Sequence, residues 1–229
     1  MPGTLGQVKW VFFDVGYTLF DETPAWQGLF GVVSSELERR GRDVPADAIW
    51  RQYDDVCATF EPYQWKGLCR QLATTPAEAA ELEALAAGGW SHEAEIVYPG
   101  VVDVVRRLHE RYKLGVIANQ HEGTVRRLAE RGLGDYFDLV IGSAEAGVRK
   151  PDPAIFRLAL DKAGVRADEA AMVGDRIDND VRPAKALGMK TVHVRQGGSG
   201  RQRPRSAEET ADATVDSVAD VAGLFGVTL

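Results

Sequence analysis

Short apolar runs alternate with amphipathic helical patterns along most of this chain of 229 residues. The apolar runs predict strands at residues 8–14, 113–118, 136–141, 169–174, 190–194 and 213–216. Helices are predicted between and after these strands, at residues 101–112, 124–131, 153–163 and 180–187 and in a segment that ends at Phe225. Repeated strand–helix units of this length connect parallel strands. The sequence therefore predicts an α/β fold with a parallel sheet and helices on both of its faces.

Residues 21–97 interrupt this alternation. They predict three helices, at residues 25–40, 46–60 and 76–87, and no convincing strand. We therefore expect two domains, a core from residues 1–20 and 98–229 and an α-helical cap from residues 21–97. A helical block inserted directly after the first strand is expected to lie over the C-terminal ends of the strands, where open α/β sheets bind their ligands.

Composition excludes several classes of protein. The formal net charge of -7 argues against a nucleic-acid partner, which needs a broad basic face. No stretch approaches the ~18 apolar residues of a membrane span, and the first residues lack the features of a signal peptide, so a cytoplasmic location is expected. A monomer or a homodimer is expected as well. Cys57 and Cys69 lack metal-site spacing and are expected to be reduced, although the sequence leaves their pairing open.

Polar side chains stand where the predicted strands end. Asp14 ends the first strand, Asn119 follows the second, and Asp175 follows the strand at residues 169–174. Lys150 lies just ahead of a predicted helix. Because the C-terminal ends of parallel strands share one edge of the sheet, these side chains are expected to meet there.

The two strand-end aspartates suit a hard divalent cation. Asp14 and Asp175 could share Mg²⁺, which prefers a few carboxylates together with waters and phosphate oxygens. The backbone carbonyl of Gly16 could add one ligand, because a carbonyl requires no particular side chain. We therefore predict a magnesium site formed by Asp14, Gly16 and Asp175.

The remaining polar residues predict a site for phosphoryl transfer. Lys150 would balance the clustered acids and hold a phosphoryl group. Asn179 or Asp180 would orient Lys150 or a metal-bound water without contacting the metal directly. Asp14 could then attack phosphorus and form an aspartyl-phosphate, while the metal and Lys150 stabilise charge on the transferring group.

The order of these motifs resembles the haloacid dehalogenase-like hydrolase superfamily. The similarity spans residues 8–225 and includes the helical insert, the return to the core at Tyr98-Pro99-Gly100-Val101, and two segments with the sequences GVRKPDP and VGDRIDND. The resemblance implies a Rossmann-like core with an α-helical cap. It also implies that Asp14 is the nucleophile, that Lys150 binds the phosphoryl group, and that Asp14, the Gly16 carbonyl and Asp175 bind Mg²⁺.

Two positions depart from the family's phosphatases. Those enzymes place a second Asp two residues after the nucleophile, where it protonates the leaving group and then activates water. Gly16 stands there in this chain and can do neither, although acid–base help is typically worth ~10²–10⁴-fold. Ala118 replaces the usual Ser or Thr of the second motif. The Thr18 hydroxyl, the Asn119 amide and backbone N–H groups remain as candidate donors to the substrate.

Three functions stay open on the sequence alone. The favoured one is a Mg²⁺-dependent phosphatase for a small phosphorylated metabolite. The first alternative is a catalytically weak or inactive member that only binds a phosphoryl group. The second alternative is a dehalogenase or phosphonatase that cleaves a bond between carbon and another atom. Dehalogenases also lack the second Asp, but they dispense with the acid at Asp175, and Lys66 is the only candidate for a phosphonatase lysine in the insert.

Overall fold

Eight strands are present in the computed structural model, which describes residue 5 and residues 8–228. They are β1 (Trp10–Phe13), β2 (Phe20–Asp21), β3 (Ile96–Val97), β4 (Lys113–Ala118), β5 (Leu139–Gly142), β6 (Ala170–Gly174), β7 (Lys190–Val194) and β8 (Ala213–Val215). Six of them form one sheet in the order β5-β4-β1-β6-β7-β8, and β2 pairs with β3. Every neighbouring pair of the six-stranded sheet is parallel, which confirms the predicted fold class.

Strand β1 lies at the centre of this sheet because it is apolar on both faces. Val11 and Phe13 face one hydrophobic layer and Phe12 faces the other, and all three are fully buried. The strand order reverses on either side of β1, between β4 and β6. Such a reversal opens a crevice at the C-terminal ends of the strands, so the residue after β1 occupies the position where ligands bind in this fold.

Helices cover both faces of the sheet, as the alternating sequence predicts. The α-helices of the described residues are α1 (Thr23–Arg39), α2 (Ala46–Ala58), α3 (Gln64–Leu72), α4 (Pro76–Gly89), α5 (Val101–His109), α6 (Thr124–Glu130), α7 (Ser143–Ala146), α8 (Pro153–Ala163), α9 (Arg182–Ala186) and α10 (Val221–Leu224). Side chains of α5, α6 and α10 pack into the layer that holds Phe13. Those of α8 and α9 pack into the layer that holds Phe12. None of the helices within the described part of the chain is both long and apolar enough to cross a bilayer.

The chain divides into two compact units. The core unit holds the described residues up to Phe20, Val97–Gln196 and those from Arg203 onwards, and the helical unit holds Asp21–Ile96 together with Gly197–Gln202. This last segment is the main difference from the predicted division, which placed all residues after 97 in the core.

Close packing explains why residues 197–202 join the helical unit. The Nε2 atom of Gln64 on α3 donates to the Ser199 hydroxyl at 2.8 Å, and that of Gln202 donates to the Cys57 carbonyl at 3.1 Å. A Cβ atom at Gly198 would lie 3.1 Å from the Cys57 side chain. The contacts are distant in sequence, so the local pattern of the loop does not predict them.

Aromatic side chains form much of the interior of the helical unit. The Trp26 ring lies 4.4 Å from that of Tyr53 and 4.9 Å from that of Trp90, measured between centroids. Cys57 and Cys69 are buried thiols of the same unit, and burial raises the pKa of Cys69 to about 12. These side chains therefore stabilise helix packing.

Three local predictions were wrong in the helical region. The short strands β2 and β3 lie at the two ends of this region, although no strand was expected between residues 20 and 97. Helix α3 was missed altogether because it is short and contains Gly67, whose Cβ would lie only 2.6 Å from Glu61. Helix α4 runs through both of the glycines that were expected to end it, and Gly89 allows α4 to approach Leu29 of α1.

Gly115 on β4 provides a test of packing in the sheet. A Cβ atom there would lie 2.5 Å from the Phe12 ring and 3.2 Å from the Leu139 carbonyl oxygen. We expect Gly115→Ala to lower the free energy of unfolding by about 1–3 kcal/mol, because the fully buried ring cannot move aside without cost. Urea denaturation measures this change. Gly223→Ala on α10 is the control, since nothing lies within 4 Å of its added methyl group, and equal effects of the two variants would contradict the argument.

Candidate active site

Asp14 and Asp175 lie side by side because they follow adjacent strands. The backbone N–H of Asp14 donates to the Val173 carbonyl at 2.9 Å, which extends the pairing of β1 and β6 by one residue. Asp175 comes directly after β6. Both side chains are buried, with 9% and 3% of the surface of each residue exposed. The sheet register therefore places two carboxylates at the same edge.

Lys150 lies between two carboxylates at this edge. Its Nζ atom contacts Asp14 Oδ1 at 2.8 Å and Asp180 Oδ1 at 2.5 Å, and the ammonium group is almost fully buried. A buried ammonium is stable only when anions and hydrogen-bond acceptors replace water around it. The two aspartates supply both.

The Asn119 side chain fixes the backbone of Lys150. Its Nδ2 atom donates to the Lys150 carbonyl at 2.9 Å, and its Oδ1 atom accepts from the Lys150 N–H at 2.8 Å. Asn119 follows β4 directly, so this pair of hydrogen bonds ties the loop of Lys150 to the end of a central strand. The substrate contact predicted for Asn119 stays a prediction, and these bonds show that its side chain also holds the loop of Lys150.

Asp180 lies in a single turn of π-helix, Ile177–Val181, that precedes α9. Its Oδ2 atom accepts from the backbone N–H of Arg176 at 3.0 Å, while Oδ1 holds Lys150. A side chain at position 174 would overlap the Asp180 carboxylate, so glycine at the end of β6 is what lets this carboxylate reach Lys150. Such π turns occur frequently at functional sites.

The three aspartates form one cluster. Asp14, Asp175 and Asp180 each offer an oxygen atom, and these atoms lie within 4.8 Å of one another. Lys150 contacts two of these carboxylates, and the nearby Arg176 guanidinium donates to both oxygens of Asp178 at 3.1 and 2.6 Å. When all three carboxyl groups are ionised, their negative charge exceeds the charge of Lys150, and a divalent cation would balance the excess.

Burial and mutual repulsion shift the ionisation of these groups. Burial raises the pKa of Asp175 well above its usual range, and the charges of Asp14 and Asp180 raise it further. Burial also raises the pKa of Asp180, to about 7, against the opposing charge of Lys150. Burial alone would lower the pKa of Lys150, but the charges and hydrogen bonds of Asp14 and Asp180 outweigh it and raise that pKa. The lysine therefore stays protonated at neutral pH.

The remaining predicted residues are close to Asp14 or Asp180 in the chain. Gly16 follows Asp14 by two residues and bridges to Phe20. Thr18 is fully buried, and its hydroxyl finds no hydrogen-bond partner among the residues that the structure describes. Asn179 is buried in the π turn beside Asp180. The roles assigned to these three residues stay predictions.

Two residues that the sequence did not single out support the site from β7 and the segment after it. The Nε2 atom of His193 lies 2.9 Å from the Asp175 carbonyl, so that nitrogen carries the proton and donates. Gln196 donates to the Tyr17 carbonyl at 3.4 Å and accepts from the Val218 N–H at 2.5 Å. The backbone of Tyr17 has a positive φ of 52°, which residues other than glycine rarely adopt. The hydrogen bond from Gln196 therefore stabilises a constrained turn. The only sequence signal was His193 between two valines of β7, and Gln196, which lies after the strand, had none.

Residues 8–188 match the haloacid dehalogenase-like hydrolase family. The chain belongs to this family. The superfamily resemblance drawn from the motifs is therefore confirmed, and the protein is a hydrolase. The match covers the sheet strands β1, β4, β5 and β6 together with Asp14, Lys150, Asp175 and Asp180.

Named phosphatases are among the relatives of this hydrolase. A glyceraldehyde 3-phosphate phosphatase from Methanopyrus kandleri is 29% identical over 227 residues, which cover 91% of this chain and 93% of that protein. A phosphoglycolate phosphatase from Pseudomonas fluorescens is 35% identical over 219 residues, which cover 95% of this chain and 79% of that protein.

Solved structures of the family superimpose on nearly the whole chain. A 2-haloacid dehalogenase from Pseudomonas syringae has a TM-score of 0.61 and 26% identity, and it covers 96% of this chain and 99% of its own. A family phosphatase from Thermococcus onnurineus has a TM-score of 0.62 and 25% identity, over 96% and 98% of the two chains. The shared fold thus occurs with both kinds of chemistry.

The buried position of Lys150 gives a prediction for stability. We expect Lys150→Met to lower the free energy of unfolding by about 3–5 kcal/mol at neutral pH, because it leaves buried carboxylates without a counter-charge. The loss should shrink as the pH falls. The buried acids then take up protons in the native state, and protonation removes their repulsion.

Urea denaturation at several pH values measures this effect. Lys113→Met is the matched control, because the Lys113–Asp138 pair is exposed on the lysine side and contributes less than about 1 kcal/mol. A Lys150→Met variant as stable as this control would show that Lys150 does not balance the cluster.

Proposed function

We propose that this hydrolase is a Mg²⁺-dependent phosphatase that removes phosphate from a small metabolite through an aspartyl-phosphate on Asp14. One observation carries the proposal: a buried lysine bridges Asp14 and Asp180 inside a cluster of three aspartates. A protein that had lost its chemistry would not need to retain so costly an arrangement of buried charge. The named phosphatases among its relatives agree with this choice.

In the proposed reaction Asp14 is the nucleophile. A carboxylate oxygen of Asp14 attacks phosphorus, and the bond between phosphorus and the leaving-group oxygen breaks. Lys150 already contacts Asp14 at 2.8 Å, so the same ammonium can reach an oxygen of the phosphoryl group and stabilise its charge. Asp180 and Asn119 keep Lys150 in position, one at its side chain and the other at its backbone.

The donor set fits Mg²⁺. Asp14 and Asp175 offer hard carboxylate oxygens, and we assign the Gly16 carbonyl as the third protein ligand. Asp180 is less suited to direct ligation, because both of its oxygens already accept hydrogen bonds. When bound, the cation supplies positive charge for the phosphoryl oxygens and relieves the repulsion between Asp14 and Asp175.

Gly16 stands where the family's phosphatases have an acid. The main alternative to the proposed phosphatase is therefore a catalytically weak or inactive protein that only binds a phosphoryl group. Hydrolysis of an aryl phosphate separates the two, because such a substrate needs little help from an acid. We expect Mg²⁺-dependent release of phosphate from an aryl phosphate, and Asp14→Asn should lower kcat at least about 10³-fold since the amide cannot form the ester bond.

Two outcomes would contradict the phosphatase proposal. Equal rates for the wild type and Asp14→Asn, on both an aryl phosphate and acetyl phosphate, would favour a protein that binds phosphoryl groups without turnover. Release of halide from a 2-haloacid in the absence of metal would favour the dehalogenase alternative.

Metal binding should depend on pH through Asp175. Its pKa is raised by burial and by neighbouring negative charge, so Mg²⁺ and protons would compete for this carboxylate. The apparent affinity for Mg²⁺ should therefore rise as the pH rises through the raised pKa of Asp175, with proton release on binding. Titration calorimetry in buffers of different ionisation enthalpy measures both quantities.

Asp175→Asn and Asp152→Asn provide a matched pair for this titration. Asp175→Asn removes a proposed ligand and should abolish binding. Asp152 caps α8 at 2.8 Å from the Ala154 nitrogen, and Asn caps equally well, so Asp152→Asn should bind Mg²⁺ as the wild type does. An affinity independent of pH in the wild type would contradict the proposed role of Asp175.

A further inference from the structure

The backbone carbonyl of Asp175 lies just beyond the end of a strand ladder. The pairing of β6 with β7 ends at Gly174 and His193, and Asp175 is the next residue of the chain. Because Asp175 is buried, its carbonyl needs a hydrogen-bond donor from the protein in place of water. The His193 side chain supplies that donor, since its Nε2 atom lies 2.9 Å from the carbonyl oxygen.

The peptide group between Asp175 and Arg176 is held at both of its polar atoms. Its carbonyl accepts from His193 on β7, and its N–H donates to Asp180 Oδ2 in the π turn at 3.0 Å. The carbonyl and the N–H of a trans peptide point in opposite directions, so the two side chains hold it from opposite sides. Rotation of this peptide group would break both hydrogen bonds. The backbone from which the Asp175 carboxylate projects is therefore fixed.

The surroundings of His193 hold its imidazole ring in place. His193 is buried, and Val192 and Val194 on either side of it in β7 are fully buried. Strand β7 is itself paired on both sides, with β6 and with β8. A polar ring in such a position is unfavourable unless its nitrogen finds a partner, and the Asp175 carbonyl is that partner.

A fixed backbone at Asp175 matters because of the geometry that Mg²⁺ requires. Mg²⁺ prefers a nearly ideal octahedron and usually takes only a few ligands from the protein. The proposed site relies on Asp14, Asp175 and the Gly16 carbonyl, so a displacement of one of them cannot be made up by many others. Hydrogen bonds that orient a metal ligand typically change metal affinity about 10–100-fold.

We propose that His193 is a positioning residue for Asp175, and that its hydrogen bond to the Asp175 carbonyl raises the affinity of the site for Mg²⁺. This inference rests on the magnesium site of the proposed function. It adds to that site a residue from β7, a strand that supplies none of the proposed ligands. His193 acts through the backbone of Asp175 and touches neither the metal nor the substrate.

Calorimetric titration of Mg²⁺ into the metal-free protein at one fixed pH tests the inference. His193→Phe keeps an aromatic ring but removes the donor, so the Kd for Mg²⁺ should rise about 10–100-fold. His193→Gln places an amide N–H near the position of Nε2 and should restore most of the affinity. His193→Asn has a side chain one methylene shorter than that of glutamine and should not restore it.

Thr191→Val is the matched control on the same strand. The Thr191 side chain is fully buried, and its Oγ1 donates to Asp212 Oδ2 at 2.9 Å. Asp212 is not part of the aspartate cluster. Loss of this hydrogen bond should lower the free energy of unfolding, as His193→Phe does, but leave the Kd for Mg²⁺ unchanged. The comparison therefore separates positioning of Asp175 from general stability of β7.

Steady-state kinetics provides a second readout. In His193→Phe, the Mg²⁺ concentration that gives half-maximal activity should rise, whereas kcat at saturating Mg²⁺ should stay close to that of the wild type. A loss of kcat at saturating Mg²⁺ with an unchanged Kd would overturn the inference, because His193 would then act on the reaction and not on the metal ligand.

The outcomes distinguish this inference from the phosphatase proposal. Equal Kd values for the wild type and His193→Phe would overturn the inference and leave the phosphatase proposal intact. A raised Kd in His193→Phe, with no release of phosphate by the wild type, would support the inference and contradict the phosphatase proposal. No binding of Mg²⁺ by the wild type would overturn both. If His193→Phe fails to fold, equal Kd values for His193→Gln and His193→Asn would overturn the inference.

Discussion

The contact of one buried ammonium with two carboxylates organises the candidate active site. Lys150 is nearly inaccessible to water, and its charge is stable only because Asp14 and Asp180 lie at 2.8 and 2.5 Å from its Nζ atom. That requirement fixes three separate parts of the core unit: the end of β1, the loop held by Asn119 and the π turn after β6. Gly174 leaves space for the Asp180 carboxylate, and the Asn119 hydrogen bonds hold the backbone of Lys150, so both support the contact between Lys150 and Asp180.

The same contact explains why the cluster suits a cation and a phosphoryl group. One lysine cannot neutralise three aspartates, and burial, together with the charges of Asp14 and Asp180, raises the pKa of Asp175 above its usual range. A divalent cation would remove this imbalance, and with Lys150 it would supply positive charge for a phosphoryl group. The proposed nucleophile, counter-charge and metal site thus follow from one electrostatic arrangement.

The sequence predicted most of the core unit because its signals are local. Strands β4 and β7 and helix α8 have the predicted bounds, since apolar runs and the Asp152-Pro153 and Gly164 caps mark them directly. The residues of the candidate site were also predicted, because Asp14 and Asp175 end strands that a parallel sheet brings together. Helix α3 and the packing of residues 197–202 were not predicted, because they depend on contacts between distant segments. His193 and Gln196 were not predicted for the same reason. Each contacts a backbone carbonyl of another segment, and no sequence motif indicates such a contact.

The central claim is that Asp14 accepts the phosphoryl group, and trapping the covalent intermediate tests it most directly. The wild type would be mixed with an aryl phosphate and Mg²⁺, quenched rapidly in acid and digested for mass spectrometry. Because Gly16 cannot activate the water of the second step, we expect a phosphoryl adduct on Asp14 to accumulate during turnover. Release of phosphate with no adduct on Asp14 at any quench time would contradict the proposed role of Asp14.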